Sequence, residues 1–168
     1  MILSFVSVRG VAQEHWIPKN SVGAFAGIEW NTLSGLTGVS YERSLLKRDK
    51  LTFGLKATYV FSYEMGTLEF MSDSYDGYAS IGSLMTTLHV FTSNRNHDNE
   101  GFFFLFSAGG GSRSYKNEDY KNSMLVFCGE LGLGWQFYLG KKTTLKLNTS
   151  MKFLGAGGIT LMKLSFGF

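Results

Sequence analysis

Residues 159–168 read Ile-Thr-Leu-Met-Lys-Leu-Ser-Phe-Gly-Phe and alternate strictly between two sets of side chains. A period of two places successive side chains on opposite faces of a β-strand. One face would carry Thr160, Met162, Leu164, Phe166 and Phe168, and the other Ile159, Leu161, Lys163, Ser165 and Gly167. We therefore predict a β-strand that carries apolar residues at every second position from Met162 onward and has an aromatic residue, Phe168, at its end.

The composition predicts a single β-rich domain with little surface for water. Of 168 residues, 44% are apolar, 15% are aromatic and 17% are charged, whereas soluble proteins carry about 25% charged residues. Glycine occurs 21 times and proline once, so the chain is rich in bends without a disordered composition. The length suits one barrel and is too short for two ordinary domains.

Charge and side-chain chemistry argue against several classes of function. The net charge of +3 comes from scattered Lys and Arg, so we expect no nucleic-acid partner. Cys128 is the single cysteine and cannot form an intrachain disulfide, and the Cys and His clusters of a zinc site are absent. The three histidines are dispersed, and we interpret His89 as a lumen or interface residue. We predict no catalytic residue, no metal and no cofactor.

Eight alternating segments separated by turn-rich gaps follow a polar lead. They are residues 21–31, 35–46, 51–63, 78–92, 101–115, 123–139, 143–154 and 159–168. Each reaches the roughly 9 to 11 residues that a tilted strand needs to cross a bilayer. The even-numbered gaps are short or polar and fit periplasmic turns, while gaps 64–77 and 116–122 fit external loops. An even strand number then puts both chain termini on the periplasmic side.

The character of the two faces distinguishes a membrane barrel from a soluble one. In segment 51–63, bulky apolar residues alternate with Thr52, Gly54, Lys56, Thr58, Val60 and Ser62. Small polar residues suit the narrow interior of an eight-stranded barrel, and large apolar residues suit a lipid-facing band. We therefore predict an all-β, eight-stranded antiparallel up-and-down transmembrane β-barrel. A soluble lipocalin-type barrel alternates with the same period and remains the alternative.

The N-terminal residues resemble the tail of a signal peptide. A short apolar stretch precedes the small residues Gly10 and Ala12, which fit a cleavage site after Ala12 or Gln13. A basic region in front of the apolar stretch is missing. We expect residues 1–13 to be a signal-peptide remnant and residues 14–168 to be the barrel.

These features together resemble a known family. Strand number, alternation, glycine-rich strands and the ending Leu164-Ser165-Phe166-Gly167-Phe168 are similar to those of small outer-membrane β-barrels of the OmpA-transmembrane-domain or OmpX type, in a form found among porin-like proteins of Bacteroidota. The resemblance covers nearly the whole chain after Gln13. It implies a bacterial outer-membrane location, contact with outer-membrane lipid, no cofactor, and insertion by the outer-membrane assembly machinery through Leu164, Phe166 and Phe168. It implies no single activity.

Charged residues on the predicted inner face form the first candidate site. They are Glu29, Glu42, Lys56, Glu130, Lys146, Lys152 and Lys163. Charges inside a low-dielectric wall need partners, and we expect Glu130 and Lys146 to be close because a short turn joins their strands. The set predicts either a salt-bridged plug that closes the lumen or a narrow path for ions or small solutes.

The gap 64–77 is the second candidate site. Apolar and acidic residues alternate there, and exposed apolar side chains often mark contact sites. The residues proposed to bind a protein partner are Met65, Glu69, Phe70, Met71, Asp73 and Tyr75. In the alternative interpretation, these residues pack on one another in a hairpin that extends beyond the membrane.

Three functions follow from the sequence. The first is a non-enzymatic outer-membrane barrel with a closed polar lumen, serving envelope structure or partner binding by surface loops. The second is a narrow pore, and the third is a soluble lipocalin-like lipid carrier. Conductance in planar bilayers distinguishes the second function, and partition into the soluble fraction distinguishes the third.

Overall fold

The computed structural model describes eight strands and their immediate flanks. The described residues are 19–30, 35–48, 50–64, 77–92, 101–116, 121–139, 143–154 and 157–168. The strands are β1 (Asn20–Glu29), β2 (Gly35–Arg48), β3 (Leu51–Glu64), β4 (Gly77–Phe91), β5 (Gly101–Lys116), β6 (Lys121–Tyr138), β7 (Thr144–Leu154) and β8 (Gly157–Gly167). Within these ranges no helix is long and apolar enough to span a membrane.

The strands form one closed antiparallel barrel in which each strand pairs with its sequence neighbours and β8 pairs with β1. The predicted all-β, eight-stranded up-and-down architecture is confirmed. Each strand begins and ends within two residues of the segment predicted from alternation, because the turn-rich gaps end the apolar pattern where the ladder hydrogen bonds also end.

The register gives the barrel a stagger of ten residues. A path perpendicular to the strands leaves β3 at Ser62 and returns to β3 at Thr52. It passes through Leu36, Gly27, Leu161, Ser150, Gly132, Leu105 and His89. Such a stagger requires the strands to tilt, typically by about 35–45° from the axis, and leaves an interior that side chains can fill.

The two ends of the barrel differ. The end that holds residues 19 and 168, called here the turn end, also holds the connections after β2, β4 and β6. At the opposite end β3, β4, β5 and β6 extend beyond the other strands, and we call this end the projecting end. The last pair between β6 and β7 is Cys128 with Leu154. Residues 121–127 of β6 therefore pair with β5 alone among the described strands, over roughly 23 Å of chain.

Candidate functional site

The pleat divides each strand between the lumen and the outer wall. On β6, Cys128, Glu130 and Gln136 are buried, whereas Leu131 and Trp135 are about half exposed. All seven charged residues predicted for the lumen are 8% exposed or less. The structure thus brings Glu29, Glu42, Lys56, Glu130, Lys146, Lys152 and Lys163 into one interior.

An ion pair between opposite walls lies at the centre of this interior. The amine of Lys56 on β3 donates to Glu130 Oε2 on β6 at 2.5 Å, and both side chains are almost fully buried. The hydroxyl of Ser150 on β7 donates to Glu130 Oε1 at 2.9 Å. Both oxygens of Glu130 therefore accept a hydrogen bond, which a buried carboxylate requires.

Lys152 has neutral partners. Its backbone is opposite Glu130 in the ladder, but its amine donates to Thr58 Oγ1 at 2.7 Å and to Ser83 Oγ at 2.8 Å. The two hydroxyls are themselves 2.6 Å apart. This triad links β7, β3 and β4 across the lumen.

A second ionic group surrounds Glu42. The amine of Lys146 donates to Glu42 Oε1 at 3.3 Å, and Nδ1 of His89 lies 3.5 Å from the same oxygen without forming a hydrogen bond. The expected proximity of Glu130 and Lys146 is wrong. Lys146 is opposite Gln136 rather than Glu130, six residues further along β6, so its side chain reaches Glu42 on β2 instead.

Basic groups exceed acidic groups in the lumen. Arg113, a quarter exposed, lies near the projecting end, and one guanidinium nitrogen donates to Glu29 Oε1 at 3.2 Å. Lys163 on β8 lies close enough for its charge to act on both Glu42 and Glu130. Three buried carboxylates thus face four buried lysines and Arg113. Among the described residues, no group of three or more His, Cys, Asp or Glu side chains could hold a metal ion.

Apolar layers at both ends of the ionic network are the feature that the sequence interpretation missed. At the turn end, Phe91, Phe103 and Leu105 form a buried cluster, with the ring of His89 in an edge contact with Phe103 at 5.0 Å between centroids. Toward the projecting end, nine buried residues form the second cluster: Phe25, Leu36, Val60, Ile81, Met85, Cys128, Leu154, Ile159 and Leu161. A signal existed for Phe91, which is two residues from His89 and therefore on the same face of its strand as a residue interpreted as lumenal or interfacial.

The outer wall is apolar and aromatic. Leu164, Phe166 and Phe168, the predicted assembly signal, point outward and are 40%, 48% and 56% exposed. Near the turn end, Phe102, Phe104, Trp135 and Phe137 form a ladder of ring contacts across β5 and β6. At the projecting end, Trp30 Nε1 donates to Thr160 Oγ1 at 2.9 Å. Aromatic side chains at both ends of an apolar band are typical of membrane barrels.

Two of the predicted sites lie outside the described residues. These are the signal-peptide remnant, residues 1–13, and the candidate partner-binding residues of the 64–77 gap, Met65, Glu69, Phe70, Met71, Asp73 and Tyr75. They remain predictions.

Solved structures of outer-membrane barrels share this fold. The N-terminal β-barrel domain of Pseudomonas aeruginosa OprF matches with a TM-score of 0.54 and 17% identity over 89% of this chain and 96% of that chain. Ail, the attachment invasion locus protein of Yersinia pestis, matches with a TM-score of 0.50 and 13% identity over 88% and 94%. Neisserial surface protein A matches with a TM-score of 0.52 and 7% identity over 88% and 92%.

Sequence comparison identifies no relative of this chain: no protein-family model matches it, and no curated protein matches it. The matches to solved structures show that the chain has the fold of small eight-stranded outer-membrane barrels.

Proposed function

We propose that this chain is a non-enzymatic integral protein of the bacterial outer membrane, with a closed lumen and a contact surface at its projecting end. The observation that carries the proposal is the polarity of the two faces of the barrel wall. Large apolar side chains cover the outer wall, while every described charged side chain of the ion pairs lies in the interior, which also holds two apolar layers. Lipid is the solvent that accommodates such an outer wall.

The same observation argues against a soluble lipid carrier. A lipocalin-like carrier needs an apolar cavity inside and a charged surface in water. Here the interior holds Lys56, Glu130 and Glu42, and an apolar depression lies on the outer wall, between Ala24, Leu133 and Met162. A lipid tail has no apolar space at the level of the ion pairs.

The apolar layers argue for a plug rather than a pore. A conducting path would have to pass the Phe91, Phe103 and Leu105 cluster, the ion pairs, and then the larger cluster around Val60 and Ile81. In an eight-stranded barrel the interior is only wide enough for its own side chains. The lumenal charges in this proposal connect opposite walls and stabilise the barrel.

We assign contact with a protein partner to the projecting end. Residues 121–127 leave one side of β6 without a described neighbour, and Leu125 and Phe127 on this stretch are 89% and 67% exposed. The described strands that flank residues 65–76, β3 and β4, meet at this end with the pair Glu64 and Gly77. Yersinia pestis Ail, which shares the fold, is named for attachment and invasion, and that supports a role for external structures. Insertion through Leu164, Phe166 and Phe168 by the assembly machinery is part of the proposal.

Two measurements test the proposal. Protein from purified outer membranes should migrate differently on a denaturing gel before and after boiling, because a hydrogen-bonded barrel resists detergent until heated. The same preparation should give no channel events in planar bilayers. A soluble protein without a heat-dependent shift would contradict the membrane location, and steady conductance steps would contradict the closed lumen and favour the pore.

A further inference from the structure

Basic side chains gather on one sector of the turn end. Arg43 and Arg48 on β2 are exposed, as are Lys19 just before β1 and Lys50 just before β3. The amide of Ser44 donates to the carbonyl of Lys19 at 2.8 Å. Arg48 pairs with Leu51 on β3, and Lys50 is the residue that precedes Leu51 in the chain. Four cations on three adjoining segments therefore share a short arc of the rim.

A β-bulge places two leucines between the arginines. The register of β2 against β3 shifts between Ser44 and Leu46, and the bulge breaks the alternation of side chains. As a result Leu45 and Leu46 both face outward, 49% and 69% exposed. Without the shift, one of them would point into the barrel. The bulge thus places two adjacent exposed leucines on the outer wall between Arg43 and Arg48.

No described acid neutralises this sector. The three acidic side chains that the structure describes, Glu29, Glu42 and Glu130, all point into the lumen. Asp49 lies between Arg48 and Lys50 in sequence but outside the described residues. The amine of Lys50 donates to the carbonyl of Thr92 at 3.1 Å, which uses one of its three N–H groups.

The patch is continuous with the apolar wall. Arg43 is opposite Leu55 and Leu46 is opposite Phe53, and both β3 residues are more than a third exposed. Long basic side chains at such a boundary keep their stems on apolar surface and extend the charge into water. An anionic ligand here would therefore have an apolar surface beside its charge.

We infer that Lys19, Arg43, Leu45, Leu46, Arg48 and Lys50, called here the turn-end patch, bind an anionic phospholipid of the inner leaflet. The planar guanidinium groups match the phosphate, and the ammonium groups add point charges. The leucines contact the upper acyl chain. The inference rests on the proposed function, because it requires a membrane barrel whose turn end faces the periplasm.

Native mass spectrometry of the whole chain in a non-ionic detergent tests the inference. Phosphatidylglycerol and phosphatidylcholine with the same acyl chains are added at equal concentration. We expect phosphatidylglycerol to be retained more strongly, by about fivefold for each arginine engaged. The variant Arg43→Gln/Arg48→Gln should lose about 25-fold of this preference and keep only the smaller part that Lys19 and Lys50 supply. Lys116→Gln, which removes an exposed cation at the projecting end, should behave like the unmodified protein.

Additional measurements distinguish a phospholipid from free phosphate or lipid A, and distinguish loss of lipid binding from loss of the barrel. Equal retention of both lipids by the unmodified protein, or an equal loss in Lys116→Gln, would overturn the inference. Displacement by inorganic phosphate beyond that by NaCl of equal ionic strength would indicate a free-phosphate site and also overturn it. Preference for lipid A would assign the patch to the outer leaflet and overturn it as well. The heat-dependent gel shift is measured first, so loss of the barrel is recognised separately.

Discussion

The lumen and the outer wall of this barrel are built from the same strands and have opposite chemistry. On β6, Glu130 is 1% exposed and the next residue, Leu131, is 51% exposed. A soluble barrel places such residues the other way round. Because successive side chains of a strand point to opposite faces, the pleat separates polar residues from apolar ones. The surroundings of each face, lumen or lipid, determine which of the two arrangements is stable.

The largest expected effect comes from breaking the ionic network. Lys56→Met removes the cation bound to Glu130 and leaves that carboxylate with Ser150 as its hydrogen-bond donor. An uncompensated buried charge costs about 3–5 kcal/mol. We expect the free energy of unfolding to fall by that amount in urea titrations in phosphatidylcholine vesicles, followed by the gel shift.

A double variant separates lost charge balance from lost packing. Lys56→Met/Glu130→Gln removes both charges and retains a group that can accept from Ser150. Since the Glu130 carboxylate is removed together with the cation bound to it, we expect the double variant to recover at least half of the loss. Glu130→Gln alone completes the cycle. If the losses of Lys56→Met and Glu130→Gln simply add in the double variant, the pair contributes no mutual stabilisation, contrary to the geometry.

The fold was accessible from the sequence because period-two alternation and turn-rich gaps are local signals. Eight segments were predicted, and eight strands form the barrel with ends shifted by at most two residues. The bulge at Ser44–Leu46 was not predicted. Leu45 and Leu46 are adjacent apolar residues, and adjacent apolar residues fit either a bulge or the end of a strand.

The partners in the lumen could not be predicted because they lie across the barrel. Alternation identifies Glu130 as an inward residue, and turn geometry identifies Lys152 and Lys146 as residues of the neighbouring strand. Glu130 instead pairs with Lys56, three strands away. The stagger of the strands and the length of the lysine side chain decide such contacts, and neither is visible in a local pattern.

The outer wall gives the second prediction. Leu131 lies in the apolar band between Phe106 and Met151 on the neighbouring strands. Leu131→Arg should reduce stability in vesicles by about 2–4 kcal/mol if the residue faces the lipid core, as charged residues do near the bilayer midplane. Ser123→Arg, on the same face of β6 but beyond the band, should cost less than about 1 kcal/mol. Equal and negligible costs at both positions would contradict the lipid-facing assignment.

The smallest effects come from glycines on the two faces. Gly134 points inward, and a Cβ there would lie 2.6 Å from Asn148 Cβ and 2.7 Å from Phe103 Cζ. Gly134→Ala should therefore destabilise the barrel by about 1–3 kcal/mol through overpacking. Gly82 points outward with no atom within 4 Å of an added Cβ, so Gly82→Ala should raise stability by about 0.4–1 kcal/mol by restricting the unfolded chain. Urea titration of both variants measures the difference, whose sign should reverse between the faces. A stabilising Gly134→Ala would mean that the lumen is looser than the contacts around Phe103 require, and it would weaken the argument for a closed lumen.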